Sequence, residues 1–86
     1  MTNLLPLGSI VTIKNSMAKM MILGYYLIDK KDNKCYQYAG VIYPSGIPET
    51  NNFVLFNNKD IKEVIFKGYS TPESEAVLSE LFKKWN

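Results

Sequence analysis

Met20-Met21-Ile22-Leu23-Gly24-Tyr25-Tyr26-Leu27-Ile28-Asp29 is the run on which the fold turns. An apolar stretch of this length can be written as a buried helix or a buried strand, so its punctuation must arbitrate. The interior Gly24, the adjacent tyrosines and the turn signals on either side favour the strand. The run is apolar at both alternating sets of positions, as expected for a central strand covered on both faces. Gly24 within it predicts a bulge or a sharp bend, the device that lets a small sheet coil.

Working outward, Ser9-Ile10-Val11-Thr12-Ile13 is short and β-branched, with Gly8 before it and Asn15-Ser16 after it. Downstream, Lys30-Lys31-Asp32-Asn33 reads as a hairpin connection into a third strand, Lys34 to Ile42. On that strand, simple alternation puts Tyr36 and Tyr38 on one face and Cys35, Gln37 and Ala39 on the other. Tyr43-Pro44-Ser45-Gly46-Ile47-Pro48 follows, and its prolines and glycine forbid a continuing strand. Phe53 to Phe56 is a short fourth strand, Asn57 to Asp60 a turn, and Ile61 to Tyr69 a fifth strand.

The period then changes. Thr71-Pro72 supplies an N-cap and a proline at the first helical position, with Ser70 and Glu73 offering a capping box one register earlier. Val77, Leu78, Leu81, Phe82 and Trp85 recur at helical spacing. Glu73 and Glu75 open the segment while Lys83 and Lys84 close it, each the favourable sign for the helix dipole. The expected architecture is therefore one α+β domain over residues 1–86. It consists of a small antiparallel meander or partly closed barrel of about five strands (about 9–69) with a C-terminal helix (about 72–85).

Composition narrows the function. The chain has 86 residues, 47% hydrophobic and 13% aromatic, which suits one modest core rather than disorder. Ten lysines against eight acids leave a net charge of +2, without any arginine. The lysines are spread along the chain, and the bidentate fork that reads phosphate and base edges belongs to arginine, so no nucleic acid is expected as a partner. There is no histidine, which removes the usual general base, zinc ligand and triad partner. The single cysteine, Cys35, therefore reads as a small strand residue rather than a nucleophile. Asp29 and Asp32 flank a lysine-rich turn without the spacing of a calcium loop. The five glycines are scattered and form no phosphate cradle. The expectation is a protein that is not an enzyme, with no catalytic residue, metal or cofactor.

No run has the length of a transmembrane helix and no basic leader opens the chain, so a cytoplasmic location without membrane insertion is expected. Most of the six tyrosines, four phenylalanines and one tryptophan belong to the core, with Tyr43 and Trp85 as surface candidates. Trp85 either closes the core or leaves an exposed apolar patch for a partner.

Four stretches together carry a resemblance. They are Leu4-Leu5-Pro6-Leu7-Gly8-Ser9-Ile10-Val11, Met20-Met21-Ile22-Leu23-Gly24, Tyr38-Ala39-Gly40-Val41-Ile42-Tyr43-Pro44-Ser45-Gly46, and the run from Phe56-Asn57-Asn58-Lys59-Asp60 through Ile61-Lys62-Glu63-Val64-Ile65-Phe66-Lys67-Gly68-Tyr69. In order and spacing this resembles the short proteins of the "domain of unknown function 4176" family of Gram-positive bacteria. Members of that family recur beside genes of the type VIIb secretion system and its LXG-type toxins. The resemblance implies a non-enzymatic accessory protein, a cytoplasmic partner or chaperone of a secreted toxin encoded nearby, and it carries over no catalytic residue. Tyr69 to Glu73 and Tyr25 to Asp29 both fit the Tyr-x-x-x-Asp/Glu export signal and are read as coincidence. The alternatives are an immunity protein that neutralises a toxin and a small barrel that binds single-stranded nucleic acid. For the partner-binding reading, the expected surface comprises Tyr43 and Pro44 in the loop with Phe82 and Trp85 at the helix end.

Overall fold

The computed structural model describes residues 3–49 and 52–85. Strands β1 (Ile10–Ile13), β2 (Lys19–Asp29), β3 (Lys34–Tyr43), β4 (Val54–Phe56) and β5 (Ile61–Phe66) form one antiparallel sheet, and α1 (Pro72–Trp85) follows. The spatial order is β4-β3-β2-β1-β5. The first four strands are thus a meander, and β5 returns to the far side of β1 instead of pairing with β4. The sheet is open between β4 and β5, and its two edges are joined by a 3-10 turn, Asn58–Asp60.

That connection forces the sheet to curl. The outer strands of a flat five-stranded sheet lie about 19 Å apart, four gaps of about 4.8 Å. Phe56 and Ile61 are five Cα steps apart, at most about 17 Å when fully extended, and a 3-10 turn is much shorter than that. The sheet therefore bends toward a barrel that it does not complete. Part of the bend lies where the register between β2 and β3 shifts, between Ile22 and Gly24. This is the bulge that the interior glycine predicts.

The turn is also bolted to the strands on either side. Asn57 Oδ1 accepts from the Gln37 N–H, Asn58 N–H donates to Gln37 Oε1, and Asp60 O accepts from the Lys14 N–H. The Asp60 carboxylate accepts from the Asn57 N–H and closes the turn on itself.

The core lies between one face of this sheet, α1 and the segment Leu4–Pro6. Leu4, Leu5, Val11, Met20, Ile22, Tyr38, Phe56 and Leu78 form it. Tyr38 is fully buried, and burying a phenol is favourable only if its hydroxyl is paired. The hydroxyl donates to Asn58 Oδ1 and accepts from the Leu5 N–H. The Tyr25 hydroxyl donates to Leu5 O, so two tyrosines hold both polar groups of one backbone residue. Tyr25 and Tyr26 are consecutive yet both pack against the core cluster, which a regular strand forbids. Tyr26 has φ 55, a left-handed backbone, and the alternation breaks there. On β3, Tyr36 and Tyr38 do not share an environment either. Tyr38 sits beside Phe56 with ring centroids 5.5 Å apart, whereas Tyr36 lines a surface groove with Leu27, Phe53 and Leu55.

β5 ends at Phe66, three residues before the expected Tyr69, and the reason is steric. A Cβ on Gly68 would stand 2.1 Å from Leu7 O and 3.0 Å from Ser9 N. The chain leaves the sheet so that Gly68 can slip under this N-terminal strap. The fully buried Ser9 fixes the crossing: its hydroxyl donates to Pro6 O and accepts from the Gly68 N–H. The helix then begins with a reciprocal cap. Ser74 N–H donates to Thr71 Oγ1 and Thr71 N–H donates to Ser74 Oγ, so the box is Thr71 with Ser74 rather than Ser70 with Glu73.

Two outcomes follow from this packing. Gly68→Ala is expected to lower unfolding free energy by about 3 kcal/mol or more, because backbone rather than a flexible side chain must yield. Gly24→Ala, whose Cβ would meet only Leu27 Cδ1 at 3.8 Å, is expected to cost less than about 1 kcal/mol, both read from urea denaturation. Burial raises the phenol pKa of Tyr25, aided by Tyr38 and Glu75, and burial also raises that of Tyr38. The stability this represents is full below the ordinary phenol value near 10 and is lost as pH rises through the folded values. An alkaline titration of phenolate absorbance should show Tyr25→Phe and Tyr38→Phe each removing a late-ionising group.

Candidate functional site

Among the concave surface regions that carry exposed aromatic or apolar side chains, two lie against α1. The first lies at its C-terminal end. Trp85 is 52% exposed, and its ring stacks on Tyr26 with centroids 5.7 Å apart and planes 21° from parallel. The left-handed turn at Tyr26 carries that ring to the helix side. Beside the indole is a recess of about 510 Å³ lined by Cys35, Gln37, Asn57, Asn58, Lys59, Phe82 and Trp85. Its polar walls are already organised by the bonds between Gln37 and the 3-10 turn. A preformed recess with an aromatic pair and an amide rim is suited to anchoring one large side chain of a polypeptide. The Lys84 ammonium lies 5.7 Å from the indole centroid, so the exposed ring face carries a cation at its margin.

The second region is an apolar groove of about 610 Å³ along the side of α1. Pro6, Leu7 and Tyr25 line it together with Val77, Leu78 and Leu81 of the helix. Tyr69 also lines it and is 86% exposed.

The residues expected to form one surface are divided between two ends of the sheet. Tyr43 ends β3 opposite Lys19 and is half-exposed, and Pro44 follows it in the turn closed by Gly46 N–H donating to Ile42 O. Phe82 and Trp85 share their recess with Cys35 and Gln37, at the other end of β3. Cys35 and Tyr43 are eight residues apart on β3, roughly 26 Å of strand. Phe82 and Trp85 are therefore one site, and Tyr43 and Pro44 belong to another part of the surface. Tyr69 and Phe66 were missed as surface residues because a fifth strand drawn through Tyr69 gives both a place in the sheet. Gly68 was the available sign, since an interior glycine can mark close backbone approach.

Chemistry of other kinds is thin at these surfaces. The Asp29 and Asp32 carboxylates accept from the N–H groups of Lys31 and Lys34 and so shape the hairpin, and Asp32 also accepts from the Tyr36 hydroxyl. That last bond is the first cause of the lowered Asp32 pKa. Among the described residues no cluster of three metal-ligating side chains is present, and no helix is long and apolar enough to cross a membrane.

A sequence profile described as Domain of unknown function (DUF4176) matches residues 4–77, and the chain belongs to that family. No curated protein and no solved structure matches it.

The half-exposed, stacked indole makes a specific spectroscopic expectation. Acrylamide should quench the fluorescence of Trp85 in the native state. Trp85→Ala should cost about 0.5–1.5 kcal/mol of stability, the value of an aromatic pair, rather than the larger loss of a core aromatic.

Proposed function

We propose that this member of the DUF4176 family acts without catalysis, as a cytoplasmic accessory protein of a type VIIb secretion system that binds an LXG-type toxin as partner or chaperone. The observation that carries the reading is the recess at the end of α1, where Trp85 and Phe82 face amide and lysine side chains. A surface aromatic of this kind, held in place by stacking on Tyr26, loses little freedom when a partner covers it. Tryptophan is accordingly prominent among residues that dominate binding energy. The resemblance of the four sequence stretches to proteins encoded beside such toxins supports the choice of partner. The absence of histidine and the use of Asp29 and Asp32 as turn caps support a binding role over a catalytic one.

The test is co-expression with an LXG-type toxin from the same genome, as separate N-terminal and C-terminal halves. Capture of the N-terminal half is expected. Trp85→Ala and Phe82→Ala should each weaken capture by about tenfold or more, the loss of an anchoring side chain. Capture of only the C-terminal half, with protection of cells expressing it, would make the protein an immunity factor. Failure to capture either half would overturn the reading.

A further inference from the structure

We infer that two copies of this chain pair through the outer flank of α1, antiparallel about a two-fold axis. The inference does not rest on the proposed toxin binding. Leu78 turns toward the sheet and is buried, while Val77 and Leu81, four residues apart, form a ridge beside it, with Val77 55% exposed. On one side of this ridge lies the apolar groove floored by Tyr25 and Leu78. On the other lies a shallow strip of Ala76, Glu80 and Lys84. Each copy therefore offers a ridge and a groove side by side, the pairing that a self-complementary contact needs.

Charge selects the orientation and the register. Glu73 stands near the start of this flank and Lys84 near its end. Their midpoint falls between Leu78 and Ser79, level with the apolar ridge. Two antiparallel copies centred there bring each Glu73 against the partner's Lys84, with Ala76 against the partner's Leu81 and Val77 against the aliphatic stem of the partner's Glu80. The helix dipoles then oppose each other favourably. A parallel pairing would set Glu73 against its own copy. Among the described residues the one ion pair is Lys67 with Glu75, at 3.9 Å, so neither Glu73 nor Lys84 is ion-paired within the chain, and the Lys84 ammonium has only the margin of the Trp85 ring beside it. Leu7 and Tyr69, both exposed, add apolar surface to the same groove. A strip one short helix long lies at the small end of specific interfaces, below about 1,200 Å² in total, so the association is reversible and depends on concentration.

Sedimentation of the full chain from micromolar to near-millimolar concentration tests this. The mass should climb from 9.8 kDa toward twice that value. Glu73→Lys and Lys84→Glu should each weaken self-association by about tenfold, since each disrupts two symmetric ion pairs and introduces repulsion. The double variant Glu73→Lys/Lys84→Glu should regain the parent's association. This rescue separates an interface effect from a damaged helix, which a second reversal would not repair. A constant 9.8 kDa at every concentration, a dimer indifferent to both single reversals, or a double variant no better than the singles would each overturn the inference.

Discussion

The hydroxyl of Tyr38 sits where almost every other element meets. A phenol in a dry interior must find partners or cost more than its ring returns. Here the partners come from two distant parts of the chain, Asn58 in the turn between the sheet edges and the backbone of Leu5. The same hydroxyl therefore sets the seat of the N-terminal segment and the position of the turn that holds the sheet bent. Phe56 and Tyr25 close around the ring, with centroids 5.5 and 6.0 Å away. In a domain with so little interior, one satisfied polar group does what a larger hydrophobic core does by volume.

The bent sheet leaves an edge to manage. β5 is unpaired on its outer side and carries Val64, Ile65 and Phe66 exposed. Such an edge invites pairing with other chains, and proteins blunt it with bulges and lysines. The register between β5 and β1 shifts twice, between Ile10 and Val11 and between Thr12 and Ile13, and lysines stand at positions 62 and 67. A doubly bulged, lysine-flanked edge is a poor template for strand addition. The apolar flank and terminal indole of α1 are not obstructed in this way, which is why the proposed contacts are placed there.

What could be read from the sequence was local. α1 was legible from end to end because proline, charge order and apolar period agree over Pro72–Trp85. The β2 run and its bulge were legible because Gly24 interrupts an otherwise apolar strand, and the open, curled five-stranded sheet lies within the expected α+β class. The left-handed backbone at Tyr26 was not legible, since a tyrosine gives no sign of positive φ, and so neither was the stacking of its ring on Trp85. The early end of β5 was signalled only by Gly68, and the backbone it approaches, at Leu7 and Ser9, is far away in sequence. For the site, Phe82 and Trp85 could be paired by helical spacing, but their distance from Tyr43 and Pro44 depends on strand register, which spacing does not supply.

The crossing of Gly68 beneath Leu7 and Ser9 also sets an order on events during synthesis. The Ser9 hydroxyl and the Gly68 amide are 59 positions apart, and β1 has β5 as one of its two neighbours. A nascent chain can form the β2–β3 hairpin early, from contacts close in sequence. It cannot seat its N-terminal strap until the segment beyond β5 has left the ribosome, and α1, with its recess and ridge, comes after that. The surfaces proposed to engage another protein are therefore the last to exist, and they arise only on a chain whose core is ready to close.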